Sequence, residues 1–171
     1  MRRQAGIALI GLLLAIALVG IVAGAAADVY QQSRQRARES DLLWIGEQFR
    51  AAIVSYRDAS PGPVKAYPPS LDHLLADPRF AGARRHLRRI YPDPMTGKAD
   101  WELIPAPQGG IAGVRSRSTA LALKSDGFRP RDAHLQGKTR YSEWDFSALP
   151  PLIAAGPAGQ IPPPGLPQPL R

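Results

Sequence analysis

Three histidines, His73, His86 and His134, are the side chains in this sequence best suited to general acid–base work or metal ligation, and they lie scattered along the chain. No HExxH, GxSxG, P-loop or GxGxxG pattern accompanies them, and no nucleophile has a base in sight. The chain has no cysteine, which removes thiol nucleophiles, disulfides and zinc clusters together. Asp126, Asp132, Glu143 and Asp145 supply oxygen ligands of the kind calcium takes, but their spacing does not make an EF-hand loop, and they read as solvated loop carboxylates. These observations point away from an enzyme and give no reason to expect a metal or a cofactor.

A fourth group is basic. Arg84, Arg85, Arg88 and Arg89 surround His86 within FAGARRHLRRIY, residues 80–91, which reads as a short basic amphipathic helix or turn. As a nucleic-acid contact the group lacks interleaved aromatics, since only Phe80 and Tyr91 flank it, so a solvated face ranks ahead of an anion or DNA site. The net charge of +8, which becomes +6 without Arg2 and Arg3, favours acidic surfaces, anionic lipid or nucleic acid without choosing among them.

The elements that must carry these residues begin with an uncharged run from Gln4 to Ala27, preceded by Arg2 and Arg3 and ended by Asp28. Taken as helix, residues 6–27 extend about 33 Å, enough for the ~30 Å hydrocarbon core. The positive-inside rule then leaves the N-terminus in the cytoplasm and the rest outside. An ordinary signal peptide cut after Ala25-Ala26-Ala27 is the alternative.

Residues 28–59 contain no proline and only Gly46 as a weak interruption, which predicts continued helix. Leu42, Ile45, Phe49, Ile53 and Tyr56 recur at spacings that share one helical face and must pack on something. Residues 31–40 are almost wholly polar and read as solvated or as used between subunits. The prolines of residues 60–70 end the helix. Ser70 is placed to cap a short helix over SLDHLLAD, with Leu71, Leu74 and Leu75 as its apolar patch and Pro78 closing it.

Beyond Pro92, Pro94 and Gly97 the pattern changes to short alternating runs. Trp101 and Leu103 mark one strand, Val114 a second and residues 120–123 a third, with Gln108-Gly109-Gly110 as the turn between the first two. Residues 141–146 read as a last strand, with Tyr141, Trp144 and Phe146 as core or edge aromatics. From 149 to 171 the chain is too rich in Pro and Gly to form a core and reads as an extended tail. The fold class is therefore α+β: a long N-terminal helix packed in its second half on a small antiparallel sheet formed within residues 60–148.

Read as GIALIGLLLAIALVGIVAG, the N-terminal segment resembles the class III signal of type IV pilins and type II secretion pseudopilins. Gly6 falls on the residue before the cleavage point, Ile7 on the first mature residue, Leu9 and Ile10 on the following Leu-Ile, and Gly20 on the glycine of the family's ILG step. Residues 1–6 match the short basic leader. The resemblance continues through YPPSLDHLL, YPDPMTGKADWEL, GIAGVRSRS and YSEW, which look like the globular part of pseudopilins related to the major type II secretion subunit. It covers residues 1–147.

That resemblance implies a pilin-like fold, a transmembrane helix over 7–27, removal of the leader by prepilin peptidase and methylation of Ile7. It further implies assembly with other pseudopilin subunits into a periplasmic filament, anchored in the inner membrane and linked indirectly to a secretion platform and secretin. Gly11 departs from the pattern, for it falls on the family's glutamate at the fifth mature position. In the family that carboxylate offsets a neighbour's N-terminal ammonium in the apolar filament core, and members lacking it tend to be minor subunits. The family's calcium loop is not carried over. A minor pilin binding DNA or a surface through its arginines, and a secreted protein released after Ala27, remain the alternatives.

Overall fold

In the computed structural model, residues 2–82 and 84–149 are described, with side chains from residue 9 onward except those of 23, 25–28 and 83. Helix α1 runs over Arg2–Asp58 without a break, about 85 Å at ~1.5 Å per residue. The face expected to pack does so: Leu42, Ile45, Phe49, Ile53 and Tyr56 are all buried. Opposite them lies a three-stranded antiparallel sheet of β1 (Glu102–Pro105), β2 (Ile111–Arg115) and β3 (Phe146–Ser147), with β2 in the centre.

Register fixes which side chains meet the helix. Leu103 pairs with Val114 and Val114 with Phe146, so these three share one face of the sheet, on which Val114 and Phe146 are buried while Leu103, on the edge strand, stays 47% exposed. The Phe146 ring lies directly on Gly46, where an added Cβ would come within 2.2 Å of it. Phe49 meets Trp101 edge-on at 5.2 Å, and the Trp101 indole donates to Tyr91 O at 2.8 Å. The ladder shifts between Ile104 and Pro105, at the edge strand where a proline costs no central pairing.

Two turns hold this sheet to the segment after α1. Ile111 N donates to Pro68 O at 2.8 Å, and Gly110, at φ 85°, packs so closely on the Tyr67 carbonyl that a Cβ would fall 2.9 Å from it. The buried Asp93 accepts from Met95 N and from the Ser116 hydroxyl at 2.8 and 2.6 Å. That carboxylate knits the 93–98 turn to the end of β2.

Four expectations need correction. The third strand is β3, because residues 120–123 make only an isolated bridge from Leu121 to Arg140. Their leucines point outward, Leu121 being 63% exposed, while Ala122 packs inward. Residues 141–146 divide into a 3-10 helix over Tyr141–Glu143 and then β3. Helix α2 spans only Asp72–Leu75 and lacks a side-chain cap; Leu71 holds the cap position, and the Ser70 hydroxyl meets His73 Nδ1 at 2.7 Å instead. Of the helix or turn expected at residues 80–91 the helix does not form: residues 80–82 and 84–91 are bends and irregular chain, leaving Leu87 buried among exposed arginines.

The polar part of α1 is also less free than its composition suggests. Gln35 and Glu39, one helical turn apart, dock on residues 121–124 and on Tyr141. Arg34, Arg36 and Arg38 remain exposed. The expected tail lies outside the described residues from 150 onward.

Candidate functional site

Among the described side chains those that bear chemistry gather in two places along α1, both from Gln35 onward. At the C-terminal end, Asp77 is wholly buried and takes a fork of bonds from Arg79, at 2.9 Å from Nε and 2.7 Å from Nη2. The same guanidinium donates to Tyr56 O at 2.7 Å and to the Ser60 hydroxyl at 2.8 Å, and lies 3.6 Å over the Tyr56 ring. A cation bonded to a carbonyl of the last helical turn satisfies an orphan acceptor and complements the helix dipole. The guanidinium beside Asp77 holds its carboxyl well below the usual carboxylate range, against the opposing effect of burial.

His86 completes this cluster, with Nε2 3.2 Å from Asp77 Oδ2 and Nδ1 2.8 Å from the Ser55 hydroxyl. With Nε2 protonated and donating to Asp77, Nδ1 accepts from Ser55. The order Ser55, His86, Asp77 is that of a nucleophile, a base and its orienting acid. Its setting opposes that chemistry: Asp77 is already paired by Arg79, and Ser55 sits at the helix end where the dipole disfavours an alkoxide. The two cavities lined by residues within 32–47 and 123–132 do not reach it. The arrangement is a helix clamp.

The second gathering is the Gln35–Glu39 latch. Glu39 Oε1 accepts from Leu123 N at 2.6 Å, Lys124 N at 3.2 Å and the Tyr141 hydroxyl at 2.8 Å. Gln35 Nε2 is shared between Leu121 O and the Tyr141 hydroxyl, at 2.9 and 2.8 Å. Burial pushes the Tyr141 phenol up to about 12. Two backbone amides and a phenol converge on Oε1 of this carboxylate, which ties α1 to residues 123–124 and to Tyr141.

The remaining candidates stay apart. Asp132 pairs with Arg50 at 2.8 Å, Glu143 accepts the amides of Thr139 and Arg140, and Asp145 faces Arg115 at 3.8 Å. Among the described residues no group of three or more His, Asp or Glu side chains is placed to hold a metal ion. His134 Nε2 lies 2.8 Å from Asp145 O, and His73 meets only Ser70 among its side-chain partners. Arg84, Arg85, Arg88 and Arg89 are all exposed, with Arg84 stacked over Phe80 at 4.7 Å and Arg89 over Tyr91 at 5.0 Å. Those rings are covered by arginines and offer no stacking platform for a base.

Gly6 and Ile7 belong to the α1 backbone, and their surroundings lie outside the described residues. A Cβ added at Gly11 or Gly20 would meet nothing within 4 Å. Around them Leu9, Ile10, Leu12, Leu13, Leu14, Ile16, Leu18, Val19, Ile21 and Val22 are 57 to 71% exposed. Among the described residues no helix is long and apolar enough to cross a membrane. The run with described side chains, 9–22, extends about 21 Å, against the ~30 Å of a bilayer core.

Sequence reasoning missed Gln35, Glu39, Ser55 and Arg79. The first two carry a signal in hindsight, an amide and an acid at i and i+4 within a polar stretch; Ser55 and Arg79 carry none without the tertiary contact. No family model matches this chain, nor does any curated protein or any solved structure.

Proposed function

We propose that this chain is a pseudopilin-like structural subunit of a type II secretion or related type IV pilus apparatus. Residues 7–27 insert in the inner membrane with the N-terminus cytoplasmic, prepilin peptidase cuts after Gly6, and Ile7 becomes the methylated first residue. The periplasmic body then joins other pseudopilin subunits through packing of α1, and the filament helps to drive protein export. The work is mechanical and calls for no catalytic side chain or cofactor.

One observation supports this reading: the two halves of α1 differ in their surroundings. Its second half is the spine of a soluble core, whereas its apolar side chains from Leu9 to Val22 are exposed on every side. An all-round apolar helix is stable only against lipid or other helices. Gly11 and Gly20, with open space where a side chain would stand, suit close helix approach. A basic contact through Arg84, Arg85, Arg88 and Arg89 is secondary, because their neighbouring rings are occupied.

Mass spectrometry of the mature protein tests the proposal. A methylated N-terminus at Ile7 is the expected result. A chain beginning at Asp28 would make it a conventionally secreted protein, and retained Met1 a simple membrane anchor; either overturns the assignment.

A further inference from the structure

Just beyond its apolar run, α1 carries three arginines that the body leaves alone. Arg34, Arg36 and Arg38 are exposed, and none is within ion-pair distance of a described carboxylate. At about 100° per residue, Arg36 stands about 200° round the helix from Arg34, and Arg38 about 40° from it. The cations therefore occupy opposite flanks of the rod. The face between them belongs to Gln35 and Glu39, which bond residues 121–124, and Asp126 lines the cavity beside Arg36 without pairing with it. Their direction is set as well, because a helical Cα–Cβ bond tilts towards the N-terminus. The Arg34 guanidinium follows that tilt, lying 4.7 Å over the ring of Tyr30 one turn back, and Tyr30 is itself 59% exposed.

We propose that this collar of arginines binds the headgroup phosphates of anionic phospholipid on the periplasmic face of the inner membrane, a role that rests on the insertion of residues 7–27 proposed above. With Ala27 at the edge of the hydrocarbon, Tyr30 stands about 4.5 Å beyond it, in the interfacial layer of ~5–8 Å where tyrosines gather. The Arg34 backbone is about 10 Å out, and its side chain leans back into the same layer. Arg36 and Arg38 start roughly 14 and 17 Å out and lean the same way, which leaves them close to the surface on the scale of the ~8 Å Debye length. A guanidinium meets phosphate through paired N–H donors and never loses its charge.

Placement round the rod favours lipid over a protein partner. A chain docked along one flank of α1 would meet either Arg36 or the pair Arg34 and Arg38, whereas a headgroup layer surrounds the helix and meets all three. The other basic group is out of reach of the bilayer. His86, in the middle of Arg84, Arg85, Arg88 and Arg89, bonds Ser55, about 42 Å along α1 from Ala27.

Native mass spectrometry of the detergent-solubilised full chain, titrated with phosphatidylglycerol or with phosphatidylcholine, reads the headgroup apart from the tails. Phosphatidylglycerol is expected to bind at least about fivefold more tightly, the effect of one arginine near an anionic surface. Replacing Arg34, Arg36 and Arg38 together by glutamine is expected to abolish the preference, and replacing them by lysine, which keeps the charges, to retain most of it. Equal affinities for the two lipids, or a preference that survives the glutamine variant, overturn the proposal. So does a preference lost when Arg84, Arg85, Arg88 and Arg89 are neutralised instead. Glycerol 3-phosphate bound as tightly as phosphatidylglycerol overturns lipid in favour of a soluble phosphate. Alkaline carbonate extraction of the chain reconstituted in vesicles separates the two levels. A released chain has no inserted span, and the membrane reading falls together with the collar; a retained chain without the lipid preference loses the collar alone.

Discussion

At the scale of single residues, Asp77 governs the response of the body to acid. Its folded carboxyl is held low by Arg79, while in the unfolded chain it titrates near the ordinary value of about 3.9. As pH falls through that range the unfolded state takes up a proton first, so the stabilisation is complete above pH ~4 and drains away below it. Asp77→Asn strands Arg79 without its partner and is expected to cost about 3 kcal/mol at neutral pH. The same variant flattens the fall in stability between pH ~4 and ~2. Urea unfolding across that range measures both effects. Nothing in the string DPR marks this clamp, for its other members, Tyr56, Ser60 and His86, approach only after the chain has turned back at residues 60–70.

Between elements, the seam of α1 and β3 rests on the absence of one side chain. Gly46 looks like a flaw in a helix until Phe146 is placed on it. Gly46→Ala gains up to ~1 kcal/mol of helix propensity, but the clash with a ring walled in by the core outweighs it, for a net loss of about 1–2 kcal/mol. A double-mutant cycle with Phe146→Leu, followed by chemical denaturation, is expected to return part of that loss through a positive coupling between the two sites. The helical face of Leu42, Ile45, Phe49, Ile53 and Tyr56 was legible in the sequence because five positions repeat a 3.6-residue period. β3 was not, since two residues carry no period at all. The leucines of 120–123 misled for a different reason: Gln35 and Glu39 hold that backbone against α1, leaving space inward for Ala122 and turning Leu121 and Leu123 to solvent.

For the whole molecule, the body and the N-terminal part of α1 are energetically separate. The buried core begins at Leu42, and the earliest side-chain bond to the body among the described residues is that of Gln35. A chain begun at Val29 is therefore expected to unfold at the same urea midpoint as the full protein in detergent, within the ~0.5 kcal/mol typical of changes remote from the core. Far-UV circular dichroism against urea checks this. The division was readable in the sequence as a change from an all-apolar to a polar helix at Asp28, but the place where the body takes hold was not. Polar residues at 31–40 give no sign of whether water or protein will satisfy them.

That place of attachment has a mechanical consequence. A sideways load at Leu9 acts through the 30 residues to Glu39, an arm of about 45 Å, and arrives as torque on a helix about 10–12 Å across. Every ångström of opening at the latch corresponds to a swing of about 4 Å at the far end. The Glu39 carboxylate, with its bonds to Leu123, Lys124 and Tyr141, is the tie that resists this torque, and it sets how far the rod can lean before the body lets go.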